Sequence, residues 1–314
     1  MPTKLKKISI ISMFSGCGGM DLGFLGGFNF LGKRYKKLDT EIVWCNELNP
    51  EACKTYKKNI SQDILEGDVW ENLTSVPKKI DLLIGGFPCQ DISVNNKNAK
   101  GVEGDRSGLY RAMIEVAKIS NPQMIIAENV KGLLNKNNAP SLKKVIDDFS
   151  MLGFNVQYKL YNSANFGVPQ TRERVFIVGT KKGEFIHPSE PLDSCNWVTA
   201  KDAIHDLVDR EEDLDWSHIW SKAKKNNASQ GNRALKSDRP GYTIRAECHG
   251  NTHYHYDLPR RMSLRESARI QSFPDQFIFR SKMRETERQI GNAVPPVLAW
   301  HLANNVIKFL NSKP

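Results

Sequence analysis

The strongest constraint on the fold is a short apolar run that stops at a pair of glycines. Asp81-Leu82-Leu83-Ile84 leads into Gly85-Gly86-Phe87-Pro88-Cys89-Gln90-Asp91-Ile92-Ser93. A run of this length before a glycine pair reads as a buried strand ending in a turn. Such a strand delivers Cys89 to the carboxyl end of a sheet, where open α/β folds place their ligands. Pro88 fixes its own backbone and pushes Phe87 out of the helical region, so the turn aims a side chain. A free thiol, with a pKa of roughly 8.5, is in small part thiolate at neutral pH and nucleophilic. A lone cysteine is as readily a small buried hydrophobe.

A second run, Gln123-Met124-Ile125-Ile126-Ala127-Glu128-Asn129-Val130, starts after Pro122 and closes on a carboxylate. If the two strands are neighbours, Glu128 and Cys89 leave the same sheet edge. A nucleophile beside an acid suits addition to a ring that must be protonated as it is attacked. Upstream, Ile8 to Phe14 reads as the first strand and runs into Ser15-Gly16-Cys17-Gly18-Gly19-Met20-Asp21-Leu22-Gly23. Asp21 stands where a dinucleotide fingerprint needs its third glycine, and a carboxylate there is expected to repel a pyrophosphate. Glu41 to Glu47 is another strand ending in an acid, and Gly67-Asp68-Val69 marks the end of a third. Acids at successive strand ends make a poor phosphate site and suit a nucleoside-like ligand with hydroxyls, an amine and a positive charge.

Pro88-Cys89-Gln90 with Glu128-Asn129-Val130 resembles the catalytic pair of the DNA (cytosine-5)-methyltransferases, and the family's motifs follow in the family's order along nearly the whole chain. The resemblance implies a Rossmann-like, doubly wound α/β sheet binding S-adenosylmethionine, with an inserted smaller target-recognition domain. The turn Ser15, Gly16, Cys17, Gly18 and Gly19 would hold the methionine part. Glu47 would bind the ribose hydroxyls, Asp68 the adenine amine, and Phe14 would lie against the adenine. Val69, Phe87, Asn292 and Ala293 would complete the pocket. Cys89, supported by Pro88, would add to C6 of a flipped-out cytosine while Glu128 organises protonation of N3.

Gly167-Val168-Pro169-Gln170-Thr171-Arg172-Glu173-Arg174 places Arg172 and Arg174 on one side of an extended segment. Two forked donors side by side could grip a carbonyl oxygen or a phosphate. The family's arginine pair helps hold the cytosine and order the site, with Arg174 the expected contact to the cytosine oxygen. The polar, glycine-bearing stretch from Val94 to Gly108 reads as a lid. In it and before it, Gln90, Ser93 and Arg106 match family positions that meet DNA.

After Lys182 the α/β pattern stops. Residues 183–285 are expected to form the inserted domain, with 1–182 and 286–314 forming the large one. Asp202 to Asp215 is acidic. Lys222, Lys224 and Lys225 begin a basic stretch that reads as a DNA-facing surface. Thr243-Ile244 resembles the short Thr-aliphatic signature of family recognition domains, and Arg245 follows it as a further DNA contact. A histidine metal site at His249, His253 and His255 is conceivable, but base or phosphate contacts fit better and no metal is expected. Ser263-Leu264-Arg265-Glu266 is a capping box opening a helix whose basic side carries Arg265 and Arg269; in the family the equivalent helix organises the small domain, so most of it reads as structural. Gln289 to Pro296 is expected to open one C-terminal helix, and the resemblance implies that this segment folds back against the first strand.

Charge agrees with a polyanionic partner: 45 Lys and Arg against 35 Asp and Glu give a net charge of +10. No run reaches the roughly 18 apolar residues of a membrane span, and the start is too short and strand-like for a signal peptide. The six cysteines form no C-x-x-C pair, which fits a reducing cytoplasm and neither zinc nor disulfides. The resemblance implies a monomeric bacterial restriction-modification or orphan methyltransferase acting on double-stranded DNA, with a cognate restriction endonuclease as its companion in the first case. A tRNA cytosine-5 methyltransferase and a catalytically silent DNA-binding regulator are the alternatives.

Overall fold

The computed structural model describes residues 7–87, 108–207, 233–246 and 253–312. Its first half alternates strands and helices: β1 (Ile8–Met13), α1 (Gly19–Leu25), a hairpin of β2 (Phe28–Phe30) and β3 (Lys33–Tyr35), then β4 (Thr40–Glu47), α2 (Pro50–Asn59) and β5 (Leu65–Glu66). After these come β6 (Leu82–Gly86), α3 (Gly108–Ser120), β7 (Met124–Val130), α4 (Ala139–Met151), β8 (Asn155–Asn162), β9 (Gln170–Thr171) and β10 (Glu173–Thr180). The remainder holds α5 (Ala200–Ile204), three two-residue strands β11 (Arg233–Ala234), β12 (Gly241–Tyr242) and β13 (His253–Tyr254), and helices α6 (Leu264–Ile270), α7 (Met283–Asn292) and α8 (Pro296–Asn311).

Seven strands form one sheet in the order β5-β4-β1-β6-β7-β10-β8. The first five are parallel, whereas β10 runs antiparallel to both β7 and β8. Strands covered on both faces must be apolar at every position, which explains the unbroken runs in β6 and β7. Alternate residues serve opposite layers. Ile10, Leu82, Ile84, Ile126, Phe176 and Val178 join the core containing Phe24, Val297 and Leu302. Ile11, Leu83, Ile125, Ala127, Val175 and Ile177 join the core containing Met113, Val116 and Phe149. From β1 the chain winds one way through β4 and β5, then returns past β1 to β6 and β7. The crevice at that reversal lies over the carboxyl ends of β1 and β6.

Local signals set several boundaries. Asn49 caps α2 by accepting from the backbone N–H groups of Glu51 and Ala52, with Pro50 in the first turn. Ser263 and Glu266 form the expected capping box of α6. On α1, Gly23 permits a close crossing: a Cβ there would lie 2.4 Å from Ala299 Cβ and 2.6 Å from the Pro296 carbonyl oxygen. The sequence reading passed over the β2–β3 hairpin, whose central residues Leu31 and Gly32 both have positive φ, as tight two-residue hairpins require.

The C-terminal segment is two helices instead of one. Gln289 to Asn292 ends α7, and Pro295 and Pro296 start α8. The basic side of α6, Arg265 and Arg269, is turned inward. Both are buried: Arg265 donates to the carbonyls of Pro274 and Phe277, and Arg269 pairs with Asp206 and Asp275. A third apolar cluster, built from Ala200, Ile204, Leu235, Ile244, Ile270, Phe273, Phe277 and Ile290, also takes in Cys17. Residues 185–197 lie against the large layer, through Phe185 with Phe309 and Trp197 Nε1 to Asn165 Oδ1 at 2.8 Å.

Candidate active site

Parallel strands bring their carboxyl ends to one edge, so Phe14, Glu47, Asp68, Phe87 and Glu128 are gathered there by topology alone. Met13 is in register with Asn46 and with Gly85, and Gly86 with Glu128. Phe14 leaves β1 at φ +54°, a left-handed conformation costing a non-glycine residue about 1–3 kcal/mol. The bend is held by the Ser15 N–H donating to the Asn46 carbonyl at 3.1 Å and by Ser15 Oγ donating to the Ser12 carbonyl at 3.1 Å. Gly16 follows at φ +57°, and a Cβ built on it would meet nothing within 4 Å. The turn thus presents open space on the crevice side.

Glu47 spans the crevice floor. Its carboxylate accepts from the backbone N–H groups of Gly16 and Asn49, each at 2.8 Å. Burial raises its pKa, and the hydrogen bonds from Asn49, Gly16 and Leu48 oppose the rise. Asp68 is exposed and accepts from the Trp70 N–H at 3.0 Å, while Val69 beside it is buried. Cys17 contributes backbone to the turn, but its thiol is buried in the third cluster and pushed up to about 12 by desolvation. A Cβ on Gly19 would lie 2.6 Å from the Val294 carbonyl and 3.0 Å from Ala293 Cβ, so the α7–α8 connection closes the turn from behind. Asn292 is exposed beside it.

Asp21 corrects one expectation. Its carboxyl is fully buried, faces the hydroxyls of Ser12 and Tyr56, and makes no well-formed hydrogen bond. Desolvation pushes its pKa up to about 7, against the pull of those hydroxyls. It faces the core, so it cannot be what would repel a pyrophosphate; Glu47 and Asp68 carry that argument by themselves.

The second half of the edge is built by strand direction. Because β10 is antiparallel to β7, its start meets the end of β7, with Arg174 opposite Val130. Arg174 Nε then donates to Glu128 Oε1 at 2.9 Å. Glu128 is 8% exposed, and desolvation raises its pKa against the opposing charges of Arg174 and Arg172. Asn129 Nδ2 donates to the Phe87 carbonyl at 3.1 Å and ties β7 to the last described residue after β6. Pro88, Cys89, Gln90, Ser93 and Arg106, with the proposed lid, lie outside the described residues, as do Lys222, Lys224 and Lys225.

The two arginines are not a double fork. Arg172 is 1% exposed and donates through Nη1 to the Ile244 carbonyl at 2.9 Å and through Nη2 to the Gly291 carbonyl at 2.8 Å. Its charge is held back by burial and by Arg174, which lower its pKa. Gly291 must be glycine here, since a Cβ would lie 2.4 Å from the Arg245 carbonyl carbon. Thr243 Oγ1 donates to the Thr171 carbonyl at 2.8 Å, and β12 pairs with β9. Arg245 is exposed beside it.

Sequence reasoning passed over Gln170 and Gln271. Gln170 is fully buried; its Oε1 accepts from the Ile244 N–H at 3.0 Å and its Nε2 donates to Gln271 Oε1 at 2.5 Å. Gln271 Nε2 in turn donates to the Ala293 carbonyl at 2.5 Å. The available signal was a carboxamide between Pro169 and Thr171, since a buried amide needs partners for both its ends.

Fold and edge together define an α/β methyltransferase, and the comparisons specify which kind. The profile of the C-5 cytosine-specific DNA methylase family matches residues 8–308. The chain is 36% identical to the type II methyltransferase M.NgoFVII of Neisseria gonorrhoeae, over 96% of this chain and 87% of that one. It is 31% identical to the type II methyltransferase M.FnuDI of Fusobacterium nucleatum, over 98% and 96%. Among solved structures, the S. pombe Dnmt2 methyltransferase shares the fold with a TM-score of 0.69 at 18% identity, covering 98% of this chain and all of that one. The chain belongs to the C-5 cytosine-specific DNA methylase family, whose activity is methyl transfer from S-adenosylmethionine to C5 of cytosine. Among the described residues there is no cluster of His, Cys, Asp and Glu fit to hold a metal, and no helix long and apolar enough to cross a membrane.

Proposed function

We propose that Cys89 and Glu128 carry out methylation of a cytosine extruded from double-stranded DNA, by way of a covalent bond between Cys89 Sγ and C6. The observation that supports this most is the register of Gly86 with Glu128, since β6 leads within three residues to Cys89. Cytosine C5 is too poor a nucleophile to accept a methyl group unaided. Cys89 adds to C6 while Glu128 delivers a proton to N3, which leaves C5 electron-rich. Burial keeps the Glu128 carboxyl protonated to higher pH than an exposed one, as a donor requires. Arg174, bonded to Glu128, fixes the acid and faces the cytosine oxygen. Loss of the C5 proton to a solvent water then expels Cys89 as its thiolate, and Glu128 recovers the N3 proton.

The crevice over β1 and β4 fits S-adenosylmethionine, through the open face of Gly16 and the Glu47 carboxylate at its floor. Bound there, the cofactor supplies the methyl group as an electrophile. Glu47 accepts from the ribose hydroxyls, Asp68 from the adenine amine, and Phe14 packs on the ring, with Ser15 to Gly19 around the methionine part. The target-recognition part, residues 183–285, carries Thr243 and Arg245 to the DNA. The enzyme works as a monomer, as the modification partner of a restriction endonuclease.

The test uses duplex DNA amplified with 5-fluoro-deoxycytidine triphosphate from host genomic fragments. Fluorine at C5 cannot leave as a proton does, so wild-type enzyme with S-adenosylmethionine should form a denaturation-resistant adduct. Peptide mapping should place it on Cys89, Cys89→Ser should form none, and Glu128→Gln should form it slowly. An adduct on another cysteine, or trapping on fluorinated tRNA in place of DNA, refutes the assignment.

A further inference from the structure

One buried acid has no part in the chemistry proposed above. Asp21 is fully buried in the first turn of α1, and neither of its carboxyl oxygens has a hydrogen-bond partner among the described residues. Burial disfavours a carboxylate that has neither partner nor counter-charge. The fold chooses the neighbours of this carboxyl. Ser12 on β1 and Cys45 on β4 are register partners, so their side chains leave the same face of the sheet. Helix α2 lays Tyr56 over Cys45, and both belong to one apolar cluster with Cys53 and Ile64. The Tyr56 ring also reaches α1: a Cβ on Gly18 would lie 3.1 Å from Tyr56 Cδ2. Asp21 is three residues beyond Gly18, on the same side of the helix. Its carboxyl is thereby enclosed between the Ser12 and Tyr56 hydroxyls.

Hydrogen counting fixes the state of that carboxyl. Ser12 Oγ lies 2.9 Å from Ser15 Oγ, and Ser15 Oγ donates to the Ser12 carbonyl at 3.1 Å. A hydroxyl has a single hydrogen. Ser15 spends its own on the carbonyl, so the Ser12 hydrogen must serve the bond between the two hydroxyls. Ser12 then has only lone pairs to turn toward Asp21. A carboxylate also has only lone pairs, and two such groups repel. A protonated carboxyl instead supplies a hydrogen to Ser12, and its other oxygen can accept from the Tyr56 hydroxyl. The titratable groups that face Asp21 are Cys17 at the turn, Cys45 on β4 and Tyr56 on α2. Burial pushes both thiols up to about 12 and the tyrosine well above its ordinary value, so all three are neutral at pH 7. Helix α8 crosses α1 with Pro296 and Ala299, which carry no charge. Burial pushes Asp21 itself up to about 7.

We propose that Asp21 acts as a neutral acid, a positioning residue that donates to Ser12 and so holds the Ser15 hydroxyl and the Phe14 bend beneath the cofactor. The inference rests on the S-adenosylmethionine pocket proposed above. When Asp21 loses its proton to solvent, the new carboxylate competes for the Ser12 hydrogen. Ser12 turns that hydrogen toward Asp21, the bond between the two serine hydroxyls breaks, and the bend loses one of its ties. Because the folded-state pKa lies above the ordinary value of 3.8, the neutral arrangement is complete at low pH and is lost as pH rises through about 7. Cofactor affinity should fall across that range.

The experiment is calorimetry of S-adenosylmethionine binding to the full chain from pH 5.5 to 9, for wild type and Asp21→Asn. The asparagine amide is neutral at every pH, and it can donate through Nδ2 to Ser12 and accept at Oδ1 from Tyr56. It should match wild type at pH 5.5 and bind about 3- to 10-fold more tightly than wild type at pH 9, the worth of one hydrogen bond. Titration of the cofactor's own amino group is common to both proteins and cancels in the ratio. Ser12→Ala, which cuts the link, should bind more weakly throughout, and Ser12→Ala/Asp21→Asn should show no pH-dependent gain over Ser12→Ala. The infrared difference between wild type and Asp21→Asn at pH 5.5 should contain the carbonyl stretch of a protonated carboxylic acid, and this band should vanish as pH rises through about 7. An affinity ratio that stays constant with pH, an Asp21→Asn variant weaker than wild type at pH 5.5, or the absence of that band would overturn the proposal. If wild type binds no S-adenosylmethionine, or Glu47→Ala binds it as wild type does, it is the pocket reading that fails, and the infrared band still decides whether Asp21 is a neutral acid.

Discussion

Arg172→Lys is the substitution whose outcome the structure fixes most narrowly. It keeps the charge and removes the fork. The two carbonyls that Arg172 bridges lie 72 and 119 residues away in sequence, on Ile244 and Gly291, and different nitrogens serve them. A lysine side chain is shorter and presents a single nitrogen, which does not match two carbonyls placed for the two ends of a planar fork. One carbonyl would then stay buried without a donor, at about 1–3 kcal/mol. A compact, strongly hydrated ammonium in the same place, with no carboxylate paired to it, adds to that loss. The expected destabilisation is about 2–4 kcal/mol. Arg172→Met orphans both carbonyls but spares the cost of burying a charge, so methionine should be no worse than lysine. Urea unfolding gives the total, and hydrogen exchange gives the location, which should be the peptides covering residues 241–246 and 289–294. Unchanged exchange in both peptides for Arg172→Lys, or lysine clearly better tolerated than methionine, would show that the charge and not the fork is what the site requires.

Further outcomes can be stated briefly. Burial raises the Glu128 pKa, so its neutral form is favoured in the folded state; the stability this gives is complete below the unfolded value of about 4.5 and is lost as pH rises through the folded value. Glu128→Gln should remove that decline, and urea midpoints from pH 4 to 8 that stay parallel to wild type would refute it. Glu47→Ala should weaken S-adenosylmethionine binding by about 1.5–3 kcal/mol, and Asp68→Ala by less because Asp68 is exposed; calorimetry showing both unchanged would remove them from the pocket. Gly23→Ala should cost about 1–3 kcal/mol in unfolding free energy by prising α8 from α1, and wild-type stability would contradict the close crossing.

The legible parts of the chain were those governed by local chemistry. Apolar runs ending in glycine or acid gave β1, β4, β6 and β7, and cap residues marked the start of α6. What escaped depends on partners far away. A run such as Val175 to Val178 reads the same in a parallel or an antiparallel strand, so the direction of β10 was not visible. The buried state of Arg269 depends on Asp206, 63 residues earlier. Asp21 carried a usable signal that was passed over: it lies three residues before Phe24, on the face of α1 that enters the core. Pro295-Pro296 likewise announced the break between α7 and α8.

The direction of β10 has a consequence for how the two arginines divide their work. Alternation puts Arg172 and Arg174 on the same side of one extended segment, and by sequence they are equivalent. What differs is the covering. Over Arg172 lie Ile244 and Gly291, brought there by β12 pairing with β9 and by the close approach of Gly291 to Arg245. Over Arg174 lies Glu128, because β7 ends there. One guanidinium is therefore consumed in joining three distant stretches of chain, and the other stays at the sheet edge with Glu128, where the proposed mechanism needs it. Gln170, on the same short segment, repeats the joining role through Ile244 and Gln271 to Ala293, behind the cofactor turn. The segments carrying Thr243-Ile244, Gly291 to Ala293 and Glu128 thus meet on five consecutive residues, 170–174, or on the partners these residues hold. A change that displaced this segment would therefore disturb all three contacts together.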